Sequence, residues 1–95
     1  MVITVRFTGM LRRLAEHDTM ELDLQEGSSL RSALIRMRER LPQGFSEDVL
    51  KPVLNGAKMP SILLLNRSSI HTTRELEAEL QDGDIVAFAT PMEGG

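Results

Sequence analysis

Residues 2–8 alternate, with Ile3, Val5 and Phe7 on one side and Thr4, Arg6 and Thr8 on the other. Period two with β-branched residues predicts a half-buried strand. Gly9 ends it, and Met10, Leu11, Leu14 and Ala15 then recur at helical spacing for a short turn of helix. Thr19–Leu24 predicts a second strand, with Met20, Leu22 and Leu24 inward and Glu21 and Asp23 outward. After Glu26-Gly27, either Ser28 or Ser29 suits a helix N-cap. Leu30, Leu34, Met37 and Leu41 form a single apolar stripe, predicting a helix that runs to Leu41 and stops at Pro42.

Residues 43–60 are the least legible stretch, broken by Pro42, Gly44, Pro52, Asn55-Gly56 and Pro60, with Ser46 expected to cap a turn over Glu47–Leu50. Ile62–Leu65 is a continuous apolar run of strand length, suited to a sheet interior. Asn66–Ser69 is expected to turn the chain into a short strand at Ile70-His71. Thr72 and Glu75 have capping-box spacing, and Gln81-Asp82-Gly83-Asp84 predicts a tight turn with Gly83 at positive φ. Ile85–Thr90 is the last strand, ended by Pro91. One amphipathic helix covers one face of one sheet. The predicted class is therefore α+β, a β-grasp with a mixed four- to five-stranded sheet packed on one main helix. Residues 1–90 form that domain, and 91–95 are expected to be a flexible Gly-Gly tail.

Composition narrows the chemistry. The 95 residues include no Cys, Trp or Tyr and only two His, His17 and His71. Thiol nucleophiles, disulfides and Cys-ligated metals are excluded, and neither His has a second ligand at recognisable spacing. No metal and no bound cofactor are assigned. A net charge of −3 and three Phe argue against a nucleic-acid surface. Residues 1–42 carry a net +1 and residues 43–95 a net −4. No apolar run reaches the roughly 18 residues of a membrane span, and no signal peptide is visible, so a cytoplasmic protein is expected.

The remaining place for chemistry is Pro91-Met92-Glu93-Gly94-Gly95. The bland reading is a frayed, solvated end. The functional reading is a thin backbone thread, free of Cβ atoms at Gly94 and Gly95, that carries a carboxylate into a narrow channel. That carboxylate is ionised at neutral pH and a poor electrophile, so acyl chemistry must begin with activation by a nucleotide-binding partner. This chain has no phosphate loop to do it.

Two motifs carry a family resemblance. Phe7-Thr8-Gly9-Met10-Leu11-Arg12-Arg13-Leu14-Ala15 resembles the F-x-G-x-L-R-x-L-A opening of the molybdopterin synthase small subunit. Leu80-Gln81-Asp82-Gly83-Asp84-Ile85-Val86-Ala87-Phe88, with Gly95 seven residues on, resembles the L-x-D-G-D-x-V-A-F…P-x-x-G-G ending of that family and of the thiamin sulfur carriers. The chain thus resembles the MoaD/ThiS ubiquitin-like sulfur carriers over nearly its whole length. The resemblance implies that a ubiquitin-activating-type adenylyltransferase spends ATP on Gly95, which then becomes a thiocarboxylate. It further implies insertion of the tail into a molybdopterin synthase large subunit, with the chain acting as a carrier subunit and not as a catalyst alone. A ubiquitin-like modifier joined through Gly95 to lysines, and a thiamin-type carrier, are the alternatives; Lys51 and Lys58 are the only lysines.

The chain departs from the family at Leu65-Asn66-Arg67, where V-N-G is usual, and at Met92-Glu93, where small or aliphatic residues precede Gly-Gly. Residues 43–60 are longer than in the shortest thiamin carriers, favouring the molybdopterin-type branch. Pro91, Met92, Glu93 and Phe88 are the candidate partner contacts, although core packing also accounts for Phe88. The acids Glu75, Glu77, Glu79, Asp82, Asp84 and Glu93 meet no Lys or Arg between residues 75 and 95. A solvated face explains that run most simply, and a basic partner surface is the sharper reading.

Overall fold

A computed structural model describes residues 1–56 and 62–89. Strand β1 (Val2–Phe7) leads through helix α1 (Gly9–Ala15) into β2 (Thr19–Asp23), and helix α2 (Leu30–Met37) follows. Helical turns α3 (Gln43–Phe45) and α4 (Lys51–Leu54) flank a wider turn at Ser46–Leu50. Strands β3 (Ile62–Leu65) and β4 (Ser68–Ile70), a 3-10 turn (Thr73–Glu77) and strand β5 (Ile85–Ala89) complete the described elements. The sheet order is β2-β1-β5-β3-β4. β1 pairs antiparallel with β2 and parallel with β5, and β3 pairs antiparallel with β5 and β4. This is the β-grasp that the element order predicts, with five strands.

The inward positions of the alternating strands are the buried ones: Ile3, Val5, Phe7, Met20, Leu22, Leu63, Val86 and Phe88. They meet the α2 stripe of Leu30, Ala33, Leu34 and Met37 across a single core. All three phenylalanines gather there. Phe7 and Phe88 stack at 5.8 Å, and Phe45 stands edge-on to them at 5.3 and 5.5 Å. Such contacts add about 0.5–1.5 kcal/mol per pair beyond burial.

Ser29 is the α2 cap, its Oγ accepting the Ser32 N–H at 3.2 Å. The helix ends at Met37, one turn before the expected Leu41. Pro42 offers no N–H to the Arg38 carbonyl and crowds it, so the chain tightens into i→i+3 bonds from Arg38, Glu39 and Arg40. Leu41 still reaches the core.

The stretch after Pro42 corrects the reading of breakers. Pro42 itself is the N-cap of α3, and Ser46 is not a cap but a buried residue whose Oγ has no hydrogen-bond partner among the described residues. Pro52 lies inside the helical run because the Ser46–Leu50 turn is wide, with the Lys51 N–H reaching back five residues to the Ser46 carbonyl. Widening relieves the clash that a proline ring makes in a regular helix. Residues 57–61, including Lys58 and Pro60, lie outside the described residues.

The β3–β4 hairpin also differs from expectation. Its turn is only Asn66-Arg67, both at positive φ (49° and 76°), and Ser68 and Ser69 belong to β4. Loss of the family's glycine therefore leaves the hairpin intact, with Arg67 in the left-handed conformation that disfavours a side chain. Asn66 compensates. Its Oδ1 accepts the Ile85 N–H and its Nδ2 donates to Asp84 Oδ1, both at 2.9 Å. Gly83 has φ of 88°, as the Asp82-Gly83 turn requires, and Thr72–Glu75 forms the full capping box.

Candidate functional site

The last described strand decides where the candidate tail leaves the domain. β5 is the middle strand, held on both sides in register from Thr4↔Ile85 to Phe7↔Phe88 and from Ile62↔Ala89 to Leu65↔Val86. At its end the Phe88 carbonyl accepts both the backbone N–H and the Oγ1 of Thr8, each at 3.1 Å. Two donors on one carbonyl clamp the strand one residue before Ala89. The chain is thus held by paired sheet as far as Ala89.

Residues 90–95 lie outside the described residues, and with them the candidate site residues Pro91, Met92, Glu93, Gly94 and Gly95. Phe88 is described, and its assignment as a partner contact is corrected. It is fully buried and stacked on Phe7, so its ring faces the core and not a partner. What Phe88 gives the site is its carbonyl.

The opposite face of the sheet, away from α2, carries a feature that linear pattern did not reveal. Ile85, Ala87 and Ala89 point outward from β5, beside Arg6 of β1, Thr8 just after it, and Leu64 of β3. The two alanines are shorter than their neighbours and leave a hollow of about 310 Å³, walled by apolar side chains and edged by Arg6 and Arg67. Neither arginine has an ion-pair partner among the described residues. Three strands and a turn contribute, which is why no run of sequence displays it; the signal was a row of small outward residues on a central strand.

The acidic stretch is mostly tied down locally. Glu77 Oε2 meets Arg31 Nε at 2.7 Å, Asp82 Oδ1 accepts the Val2 N–H at 2.7 Å, and Asp84 receives Asn66 and the Gln81 N–H. Glu75 accepts the N–H groups of His71 and Thr72 at 2.8 and 2.9 Å, which together hold its carboxyl below the usual carboxylate range. These carboxylates serve the fold, and Glu93 lies outside the described residues. His17 Nδ1 lies 2.9 Å from the Ala15 carbonyl, and Lys51 pairs with Glu47 at 3.7 Å. Among the described residues no group of His, Cys, Asp or Glu is placed to hold a metal, and no helix is long and apolar enough to cross a membrane.

A five-stranded mixed sheet with a parallel first and last strand, wrapped on one main helix and clamped at its exit, defines a ubiquitin-like β-grasp protein. The match to the ThiS family model over residues 5–95 makes it more specific: the chain belongs to the ThiS family. Solved structures agree in fold. A putative molybdopterin converting factor subunit 1 from Pyrococcus furiosus has a TM-score of 0.73 at 24% identity, over 96% of this chain and 98% of that one. SAMP1 from Haloferax volcanii has a TM-score of 0.74 at 18% identity, over all of both chains. A complex of subunits 1 and 2 of the molybdopterin-converting factor from Helicobacter pylori matches at 0.62 and 22%, again over all of both chains.

Proposed function

We propose that this chain is a sulfur carrier whose Gly95 carboxylate is the reactive group, acting as the small subunit of a molybdopterin-synthase-type enzyme. The single observation that carries the reading is the family match running through to Gly95, on a chain with no cysteine to bear sulfur otherwise. Rigid delivery at Ala89 supports it. Six further residues span at most about 20 Å when extended, so a partner that grips the sheet can receive the carboxylate within that reach.

The chemistry needs two activations. A carboxylate oxygen of Gly95 attacks the α-phosphorus of ATP in a ubiquitin-activating-type partner, and pyrophosphate leaves. A hydrosulfide-equivalent donor then attacks the acyl carbon; the C–S bond forms, AMP departs with the bridging oxygen, and loss of the sulfur-bound proton gives the thiocarboxylate. In an acceptor enzyme that sulfur attacks a substrate carbon and displaces an oxygen leaving group from it, and water then cleaves the acyl C–S bond of the resulting thioester, restoring the Gly95 carboxylate and leaving a thiol on the substrate. The ATP site and acid–base groups belong to the partners. A pterin precursor is the acceptor this reading names, in line with the subunit pairing of the Helicobacter pylori complex.

Intact mass spectrometry after incubation with the activating enzyme, ATP and a sulfur donor tests the reading. Exchange of one oxygen for sulfur at Gly95 is expected, and deletion of Gly95 abolishes it while the fold persists. Isopeptide adducts on other proteins, without the exchange, would replace it with the modifier reading. Product formation with a pterin-synthase large subunit, and none with a thiazole synthase, identifies the branch.

A further inference from the structure

We propose that the free edge of β2 is a docking site for an extended peptide segment of a partner, one that alternates basic and apolar side chains. The site is independent of the reading of Gly95, since β1 stands between β2 and β5.

Backbone register defines the edge. Leu24 and Met1 exchange hydrogen bonds in both directions at 2.8 Å, and the Phe7 N–H donates to the Asp18 carbonyl at 2.9 Å. With Ile3↔Leu22 and Val5↔Met20 between them, Asp18, Met20, Leu22 and Leu24 turn their backbone groups toward β1. Those of Thr19, Glu21 and Asp23 therefore point away from the sheet, on the side where no strand pairs. Among the described residues one of these groups has a partner: the Glu21 carbonyl accepts Arg40 Nη1 at 2.6 Å. A donor arriving from outside the sheet is thus already accepted there. β2 carries neither a proline nor a bulge, two common guards of an edge.

Beside the edge lies an unfilled groove. Leu24, Ser32, Ile35, Arg36 and Glu39 line a hollow of about 340 Å³ between β2 and α2, and Ile35 is 48% exposed. A strand added to β2 turns alternate side chains toward this groove, where an aliphatic one covers Ile35. Its other side chains stand on the outer face beside the exposed Glu21 and Asp23. Glu21 has no ion-pair partner among the described residues, and Asp23 has the Met1 amine at 3.8 Å. Opposite charges on facing strands attract and like charges repel. A second copy pairing β2 antiparallel about Glu21 sets that carboxylate against itself, so the edge selects a basic segment over its own kind. Arg40 holds the carbonyl that an incoming strand needs and adds a like charge to it, which makes Arg40 a displaceable guard.

The probe is a seven-residue peptide of alternating lysine and valine, lysine at both ends, acetylated and amidated, titrated into the full chain and followed by amide NMR shifts. Saturable shifts centred on Thr19, Glu21 and Asp23 are expected, with Kd rising about tenfold when salt is raised from about 0.05 to about 0.3 M. Ile35→Ser is expected to raise Kd about tenfold, and Glu21→Lys about tenfold with a flatter salt dependence. Both sites are exposed, so Tm stays within a few degrees of wild type. Arg40→Ala is expected to lower Kd about fivefold by freeing the Glu21 carbonyl. Two further peptides test the strand pairing itself, one N-methylated on its lysines and one on its valines. Only one set of peptide N–H groups faces β2, so one peptide loses binding and the other stays within about threefold. Loss in the lysine set means an antiparallel strand, and loss in the valine set a parallel one. Equal binding by both methylated peptides, equal loss with both, shifts centred away from β2, or weaker binding by Arg40→Ala overturns the site. A glutamate–valine peptide that binds as well overturns the basic partner. A wild-type dimer that protects the Glu21 amide without peptide overturns the occupant in favour of a second copy.

Discussion

Asn66 and Ile85 exchange hydrogen bonds in both directions: the Asn66 N–H donates to the Ile85 carbonyl, and the Asn66 Oδ1 accepts the Ile85 N–H, each at 2.9 Å. An amide side chain here extends the β3–β5 ladder past its last paired residues. It also fixes the turn that carries Arg67 against the start of the central strand.

Asn66→Ala removes two side-chain bonds and the αL preference of Asn. It is expected to cost about 1–2 kcal/mol, lowering Tm by several degrees. Denaturant unfolding with an unchanged m-value checks it. Asn66→Asp keeps the Ile85 bond but places a second carboxylate 2.9 Å from the position of Asp84 Oδ1, so its deficit should shrink as added salt screens the like charges.

Phe88→Ala opens the centre of the three-ring cluster. A cost of about 3–5 kcal/mol is expected, against a total stability of about 5–14 kcal/mol for a domain this size. Phe88→Leu should retain most of the fold. A Phe88→Ala chain as stable as wild type would mean that the ring is not the core anchor its burial indicates.

Ser46→Ala is expected to be neutral or to stabilise by about 1 kcal/mol, because it deletes a buried hydroxyl that has no partner among the described residues. Most buried truncations destabilise, so the sign is the informative part. A loss above about 1 kcal/mol would show that the hydroxyl is hydrogen-bonded after all, through a water.

Glu75 ties stability to pH. Its folded-state carboxyl is held below the ordinary value by the His71 and Thr72 N–H groups. The unfolded chain therefore takes up the proton first as pH falls. The contribution is complete above the usual carboxylate range and is lost as pH drops through the folded value. Glu75→Gln should have a lower Tm than wild type at neutral pH, and the two curves should converge in acid. A gap that stays constant with pH would remove the charge from the explanation.

Local rules made much of this fold legible. Alternation at Ile3-Val5-Phe7 picked the buried face, and Thr72-x-x-Glu75 and Asp82-Gly83 marked a cap and a turn, because each feature is decided within a few residues. Two errors share a cause. Pro52 carries the local signature of a breaker and Ser46 that of a cap, since neither local rule includes the five-residue back-bond that widens the helix between them. The end of α2 at Met37 shows Pro42 acting a full turn upstream of its own position. The Arg6–Arg67 hollow was illegible for a different reason: its walls are 61 positions apart in the chain and adjoin only once β5 lies between β1 and β3. The proposed chemistry of the tail rests on Gly94-Gly95 and the motif before it, and residues 90–95 lie outside the described residues.

The strand order has a consequence for synthesis. The middle strand of the sheet is made last, so a nascent chain holding everything up to Asp84 has β1 and β3 with no strand between them. The sheet closes only after Ala89 has left the ribosome, through contacts more than 80 residues apart in sequence such as Thr4 with Ile85. Such long-range closure is slow compared with local pairing. Products interrupted before Ile85 cannot complete the sheet and leave its strand edges open to proteolysis. A closed five-stranded sheet therefore reports that synthesis has run through Ala89.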